Sequence, residues 1–220
     1  IEQHFIEVSN ADKPQAVMKL LAHYRPESTV IFCNTKADCN EVYQQLTAKG
    51  FYVLALHGDL EQRDREQVLL RFANKSCPIL VATDVAARGL DIPEMKHVIH
   101  YHPSATEDEF IHRNGRTARM HASGTAYLIL HKDEKRPAYL EETIEIMEVS
   151  TNHPLPKPPV FTTLYINGGK KNKLNKVDIV GFLAQKGKLE KDDIGLIEVK
   201  DFSSFVAIRA SKLKSVLLAI

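Results

Sequence analysis

PILVATDVAARGLDIP, residues 78–93, changes character halfway along. Its first half, ILVA, is apolar at every position, the pattern of a strand buried on both faces in a parallel sheet. Its second half, TDVAARGLDIP, sets two carboxylates, an arginine and a glycine among small residues. Glycine lets backbone approach a ligand closely, and small Ala and Thr side chains leave room for a sugar-phosphate chain. A buried strand leading into such a loop is the arrangement of an open α/β sheet, where ligands gather at the carboxyl ends of the strands.

The flanking sequence repeats the theme. IEQHFIEV, TVIFC, YVLAL, HVIHY and GTAYLIL read as further strands, separated by helices near 13–24, 36–49, 61–74 and 105–115. SATEDEF offers two overlapping capping boxes, Ser104 with Glu107 and Thr106 with Glu109, and Gly115 is placed to end that helix. Strand–helix alternation of this kind predicts a parallel sheet with helices on both faces and right-handed crossovers.

Four clusters fall where that topology puts binding loops: CNTK (33–36), LHGDLEQRDR (56–65), ATDVAARGLDIP (82–93) and HRNGRTAR (112–119). The last carries Arg113, Arg116 and Arg119 at three-residue spacing, which suggests convergence on a polyanion. Cations near a helix C-terminus are favourable in any case, by about 0.3–1 kcal/mol. That explains one arginine and not three. His97, His100, His102 and His112 lie close in sequence, but no HExxH or cysteine partner accompanies them, so no metal site is expected.

Taken in order, IFCNT, HGDLEQRDR, TDVAARGLDIP and HRNGRTAR resemble motif IV, the HGxxxQxxR element, motif V and motif VI of the DEAD-box RNA helicases. The resemblance covers residues 1–150 and implies the second RecA-like domain of such an enzyme. Motif VI departs from the common HRIGRTGR at Asn114 and Ala118. Asn114 replaces an apolar residue and is expected to loosen local packing. The resemblance implies that Arg116 and Arg119 reach the γ-phosphate of ATP as arginine fingers, as permanently charged planar donors can. Gly89 and Asp91 would approach the ribose and γ-phosphate, with Asp84 and Arg88 organising the loop between sites. Thr83, Gly58, Gln62 and Arg65 would hold the RNA backbone. ATP with Mg2+ would be bound mainly by a first RecA-like domain, because neither GxxxxGK[ST] nor DEAD occurs in these 220 residues. The chain alone is therefore expected to be inactive.

NHPLPKPPV (152–160) concentrates four of the ten prolines and reads as an extended linker over 151–160. Beyond it, residues 161–220 hold eleven Lys and Arg against six Asp and Glu, net +5. The first 160 residues hold 18 against 22, net −4. The second module is thus expected to face an anionic partner. Its order is strand (162–167), helix (175–186), strand (194–200), strand (204–209), helix (211–220), an RRM-like α+β domain lacking its last strand. It resembles the RNA-recognition domain of the DbpA-like subfamily through INGGKKNK and the KDDIG turn, which implies a hairpin of large-subunit ribosomal RNA as target and a role in ribosome assembly. Tyr165, Lys170, Lys171 and Lys173 are the candidate RNA contacts. Setting Phe205–Val206 on the RNP1 strand puts Ser203 and Ile208 where aromatics usually stand, so poor base stacking is expected.

Three cysteines without CxxC spacing, no membrane-length apolar run and no signal-peptide layout point to a cytoplasmic protein. A monomer is expected when full-length. Two rival readings remain. One is a DEAD-box helicase of another subfamily with a general basic tail. The other is a non-enzymatic RNA-binding adaptor, against which Arg116, Arg119 and Asp91 argue, since an adaptor has no use for a γ-phosphate sensor.

Overall fold

A computed structural model describes residues 1–8, 12–88, 95–117, 124–140 and 153–220 of the chain. They form two compact units, Ile1–Val68 with Pro78–Lys157 and Leu69–Cys77 with Pro158–Ile220.

The larger sheet has six strands: β1 (Glu2–Val8), β2 (Thr29–Cys33), β3 (Val53–Leu56), β4 (Ile79–Thr83), β5 (His97–His100) and β6 (Thr125–His131). Their order is β1-β6-β5-β2-β4-β3, and every pairing is parallel. The central strands β2 and β4 are buried along their whole length, as their unbroken apolar sequences predict. Alternation along the strands feeds two layers. Ile31, Val81, Ile99 and Ile129 pack with Val17 and Leu20 of α1 (Lys13–Tyr24) and Val42 and Leu46 of α2 (Lys36–Ala48). Leu128, Leu130 and Phe5 pack with Phe110 of α5 (Glu107–Asn114) and with Leu140. Helix α3 (Gln62–Ala73) follows β3, and a single turn, α4 (Asp84–Ala87), follows β4. At four residues α4 is too short to show a helical period, so it is absent from the sequence reading.

Of the two capping boxes expected in SATEDEF, the Thr106–Glu109 pair forms only its N-cap half. Thr106 caps α5 by accepting the Glu109 N–H (3.2 Å), and the Glu109 carboxylate accepts the Ala105 N–H (3.2 Å). The Ser104 hydroxyl instead donates to the Thr106 carbonyl and pairs with the Tyr139 hydroxyl.

The smaller sheet is antiparallel, in the order β7 (Phe161–Ile166), β9 (Ser204–Arg209), β8 (Ile194–Val199). Helices α6 (Lys176–Gln185) and α7 (Leu213–Ala219) cover one face, where Ile179, Leu183, Val206, Ile208 and Val216 form the core. The other edge of β7 carries no strand among the described residues. Residues 153–159 have no regular secondary structure. The placement of Ile208 corrects the sequence reading: it points into the core with Val206, while the alternate position Phe205 takes the opposite face beside Tyr165.

Two loops at one end of this sheet are fastened together. The Lys170 N–H donates to the Lys200 carbonyl (2.8 Å), the Lys171 N–H to the Asp201 carbonyl (2.9 Å), and the Ser204 hydroxyl to the Gly168 carbonyl (2.7 Å). Gly169 makes this approach feasible, because a Cβ there would lie 2.1 Å from the Lys200 oxygen. Gly169→Ala is therefore expected to destabilise this unit by about 1–3 kcal/mol, the usual range for forced overpacking. Denaturant unfolding, with hydrogen exchange at Lys170 and Lys171, checks it; unchanged stability and protection would refute the tight junction.

Candidate functional site

The loops leaving the carboxyl ends of β2, β4 and β5 meet at one side chain. Arg113, near the end of α5, is 2% exposed, and all five of its N–H groups find acceptors. Nε and Nη2 grip the Asp84 carboxylate in a fork (2.7 and 2.5 Å). Nη2 also donates to Asn34 Oδ1 (2.9 Å), and Nη1 to the His102 carbonyl (2.8 Å) and to His100 Nδ1 (3.4 Å). The guanidinium lies over the Phe32 ring, 5.2 Å from its centroid. A buried guanidinium is tolerable only with this degree of pairing. Arg113 is thus engaged within the fold, and the three-arginine convergence suggested by the spacing does not include it.

His100 and Asn114 extend the network. Asn114 is buried, and its Oδ1 lies 2.8 Å from His100 Nε2. Burial, helped by the Arg113 charge, pushes the His100 pKa down to about 3, so the ring is neutral. A neutral ring has one donor nitrogen and one acceptor. With Nδ1 facing a guanidinium N–H, the proton belongs on Nε2, where Asn114 accepts it. Asn114 is therefore a satisfied partner in a buried pair, contrary to the expectation that it loosens the packing.

Arg116 follows one turn later and is only partly buried. Its Nη2 donates to the Ala87 carbonyl (3.3 Å). With Asp84, Arg88, Glu109 and His112 it lines a shallow depression beside α4. Arg88 is held there by Glu109 at 2.7 Å. Glu109 escaped the sequence reading except as a capping residue, since nothing local links positions 21 residues apart. Gly89, Asp91 and Arg119 lie outside the described residues.

The candidate RNA contacts of the larger unit occupy the neighbouring stretch of the same sheet edge. Thr83 ends β4, and Gly58 lies two residues beyond Leu56, which pairs with Ala82. A Cβ on Gly58 would meet nothing within 4 Å, so the fold itself does not require glycine there. Gln62 and Arg65 lie on the first turn of α3, where Gln62 donates to Glu66 (3.2 Å). Lys36 holds the exposed Asp59 at 2.6 Å, and this hydrogen bond lowers the Asp59 pKa.

In the smaller unit Tyr165 is half exposed and stands opposite Phe205 across β7 and β9, ring centroids 5.5 Å apart. The alternation of β9 puts Phe205, rather than Ile208, on this face beside Tyr165. Lys170, Lys171 and Lys173 are exposed on the adjoining loop.

Comparison with known proteins agrees with both halves. The model of the helicase conserved C-terminal domain matches residues 12–121, and that of the DbpA RNA binding domain matches 163–220. The chain is 41% identical over 215 residues to the ATP-dependent RNA helicase DbpA of Escherichia coli, covering 95% of this chain and 47% of the relative. Its identity to the Bacillus subtilis DbpA is 34%, covering 96% and 50%. The chain thus spans about half the length of these curated relatives. Among solved structures, the C-terminal domain of the DEAD-box protein Dbp5 superposes with a TM-score of 0.56 at 31% identity, covering 60% of this chain and 78% of that one. The E. coli DEAD-box protein SrmB gives 0.63 at 28%, covering 71% and 98%.

The buried histidine yields a pH dependence. Its folded pKa lies below the unfolded value of about 6.5, so the unfolded chain takes up the proton first as pH falls. Stability from this group is complete above about pH 6.5 and is lost progressively toward pH 3. Between pH 6.5 and 4.5 the loss is roughly 2–3 kcal/mol. Urea unfolding of the parent and of His100→Gln at both pH values should show the parent falling by that much more. Parallel losses would remove His100 as the source.

Proposed function

This chain belongs to the DEAD-box RNA helicases, and from that premise we propose that it forms the carboxy-terminal half of an ATP-dependent RNA helicase of the DbpA type. The observation that carries the reading is the division of labour in motif VI. Arg113 is bound inside the fold to Asp84, while Arg116 remains at the rim of a depression on the sheet edge where ligands bind. A permanently charged planar donor at such a rim suits the γ-phosphate of ATP, whose transfer is catalysed largely by positioning and charge stabilisation. Arg116, with Arg119, supplies that charge. Asp91 and Gly89 approach the ribose and γ-phosphate side.

The first RecA-like domain of the same protein supplies the phosphate loop and the DEAD carboxylates, which these 220 residues lack. Mg2+ is held mainly by that domain as well. When bound, the ion neutralises phosphate charge. Thr83, Gly58, Gln62 and Arg65 hold the RNA sugar-phosphate backbone, contacts that carry no base readout. ATP binding closes the two domains on RNA and opens a short duplex locally, and hydrolysis resets them. The basic module 161–220 directs the enzyme to a hairpin of large-subunit ribosomal RNA during ribosome assembly in the cytoplasm, with residues 151–160 as the tether. The full-length enzyme works as a monomer.

Arg116→Ala or Arg119→Ala in the full-length enzyme should lower RNA-stimulated ATP hydrolysis steeply, arginine fingers being worth on the order of 10³–10⁵ in rate. Unchanged turnover in both variants would overturn the assignment.

Deleting residues 161–220 should abolish preference for the hairpin while ATPase driven by any RNA at high concentration persists. A truncated enzyme that still prefers the hairpin would place specificity in the RecA-like domain.

A further inference from the structure

The turn between β8 and β9 presents Phe202 with 70% of its surface exposed. An aromatic ring there contributes little to the core of Ile179, Leu183, Val206, Ile208 and Val216. Its backbone surroundings are nonetheless tightly built. Lys200 and Asp201, the residues just before it, accept the N–H groups of Lys170 and Lys171, and Ser204 just after it is tied to Gly168. The turn and the lysine loop are thus one structure, with Gly169 as the point of closest approach. Lys170, Lys171 and Lys173 are exposed, and none takes part in an ion pair among the described residues.

An exposed aromatic side chain, on a turn bonded through its backbone to a lysine-bearing loop, matches the two surfaces of an unpaired nucleotide. Bases stack on aromatic rings whatever their sequence, and phosphates follow the positive charge. An apolar protein partner would leave the lysines unmatched, and an acidic peptide would leave the ring without a flat partner. We infer that the β8–β9 turn is a stacking site for a single unpaired RNA base, with Phe202 as the platform and Lys170, Lys171 and Lys173 holding the adjacent phosphates. The Tyr165–Phe205 pair stands at the same end of the sheet, because Ile166 pairs with Ser204. This site rests on the proposed RNA-binding role of the module, and it adds a preference for unpaired over paired RNA.

The chain contains no tryptophan, so Phe202→Trp creates a single fluorescent reporter at the site. The 220-residue protein is titrated with a single-stranded oligoadenylate, a blunt RNA duplex of equal length, an acidic peptide and heparin, a polyanion without bases. Oligoadenylate is expected to quench the tryptophan strongly, and the other three to quench it little even where they bind. Phe202→Ala should weaken oligoadenylate binding roughly tenfold while leaving heparin affinity unchanged. Bound oligoadenylate that leaves the reporter bright, or equal quenching by heparin, the peptide or the duplex, overturns the stacking site and leaves the RNA-binding role intact. Failure of the parent chain to bind oligoadenylate overturns the stacking site; failure to bind a ribosomal RNA hairpin, titrated alongside, overturns the RNA-binding role as well.

Discussion

The fork between Arg113 and Asp84 is the contact on which the functional edge of the larger unit depends. Three loops that lie 18 or more residues apart in the chain carry Asn34, Asp84 and His102, and one guanidinium fastens them all. Burying that charge without partners would be prohibitive, so the loops can occupy this arrangement only together. Everything at the edge inherits its position from this constraint. Helix α4 begins at Asp84, the Ala87 carbonyl that receives Arg116 lies one turn on, and Arg88 reaches Glu109 from the end of the same turn. A motif that looks like three equivalent cations holds one arginine, Arg113, bound inside the fold, and another, Arg116, lining a surface depression.

The His100–Asn114 pair shows how a polar residue enters a buried site without loss. A histidine at 0% exposure needs partners for both ring nitrogens, and Arg113 supplies a donor to only one. An apolar residue at 114 would leave the Nε2 proton unpaired, a deficit of about 1–3 kcal/mol. Asparagine removes it. The departure from the common motif is therefore matched by a residue on β5, and the two positions make sense only as a pair.

The smaller unit solves a different problem. Its core is modest, and its remaining surface is charged and aromatic where the two loops meet. Only the second glycine of INGGKKNK has a steric reason, leaving room for the Lys200 carbonyl; the first binds the Ser204 hydroxyl through its carbonyl, as any residue could. With the backbone of this loop held by the neighbouring turn, the lysines are carried on a fixed base. A net charge of +5 over 161–220 then acts locally at that end of the sheet as well as across the whole module.

Sequence alone determined the α/β order, the buried parallel strands and the loops that carry chemistry, because side-chain alternation and apolar runs are local properties of the chain. It also marked Gly58, Thr83, Tyr165 and the lysines of 170–173, since glycine, small residues and cation clusters are visible without coordinates. It did not separate Arg113 from Arg116, pair His100 with Asn114, or bring Glu109 to Arg88. Each of those depends on partners 11 or more residues away, brought close only by the crossovers of the sheet. The same holds for Ile208 and Phe205, whose faces follow from the register of β9 between β7 and β8. Tertiary structure decided which charges are buried and which face solvent, because burial is a property of the packed molecule and not of any stretch of its sequence.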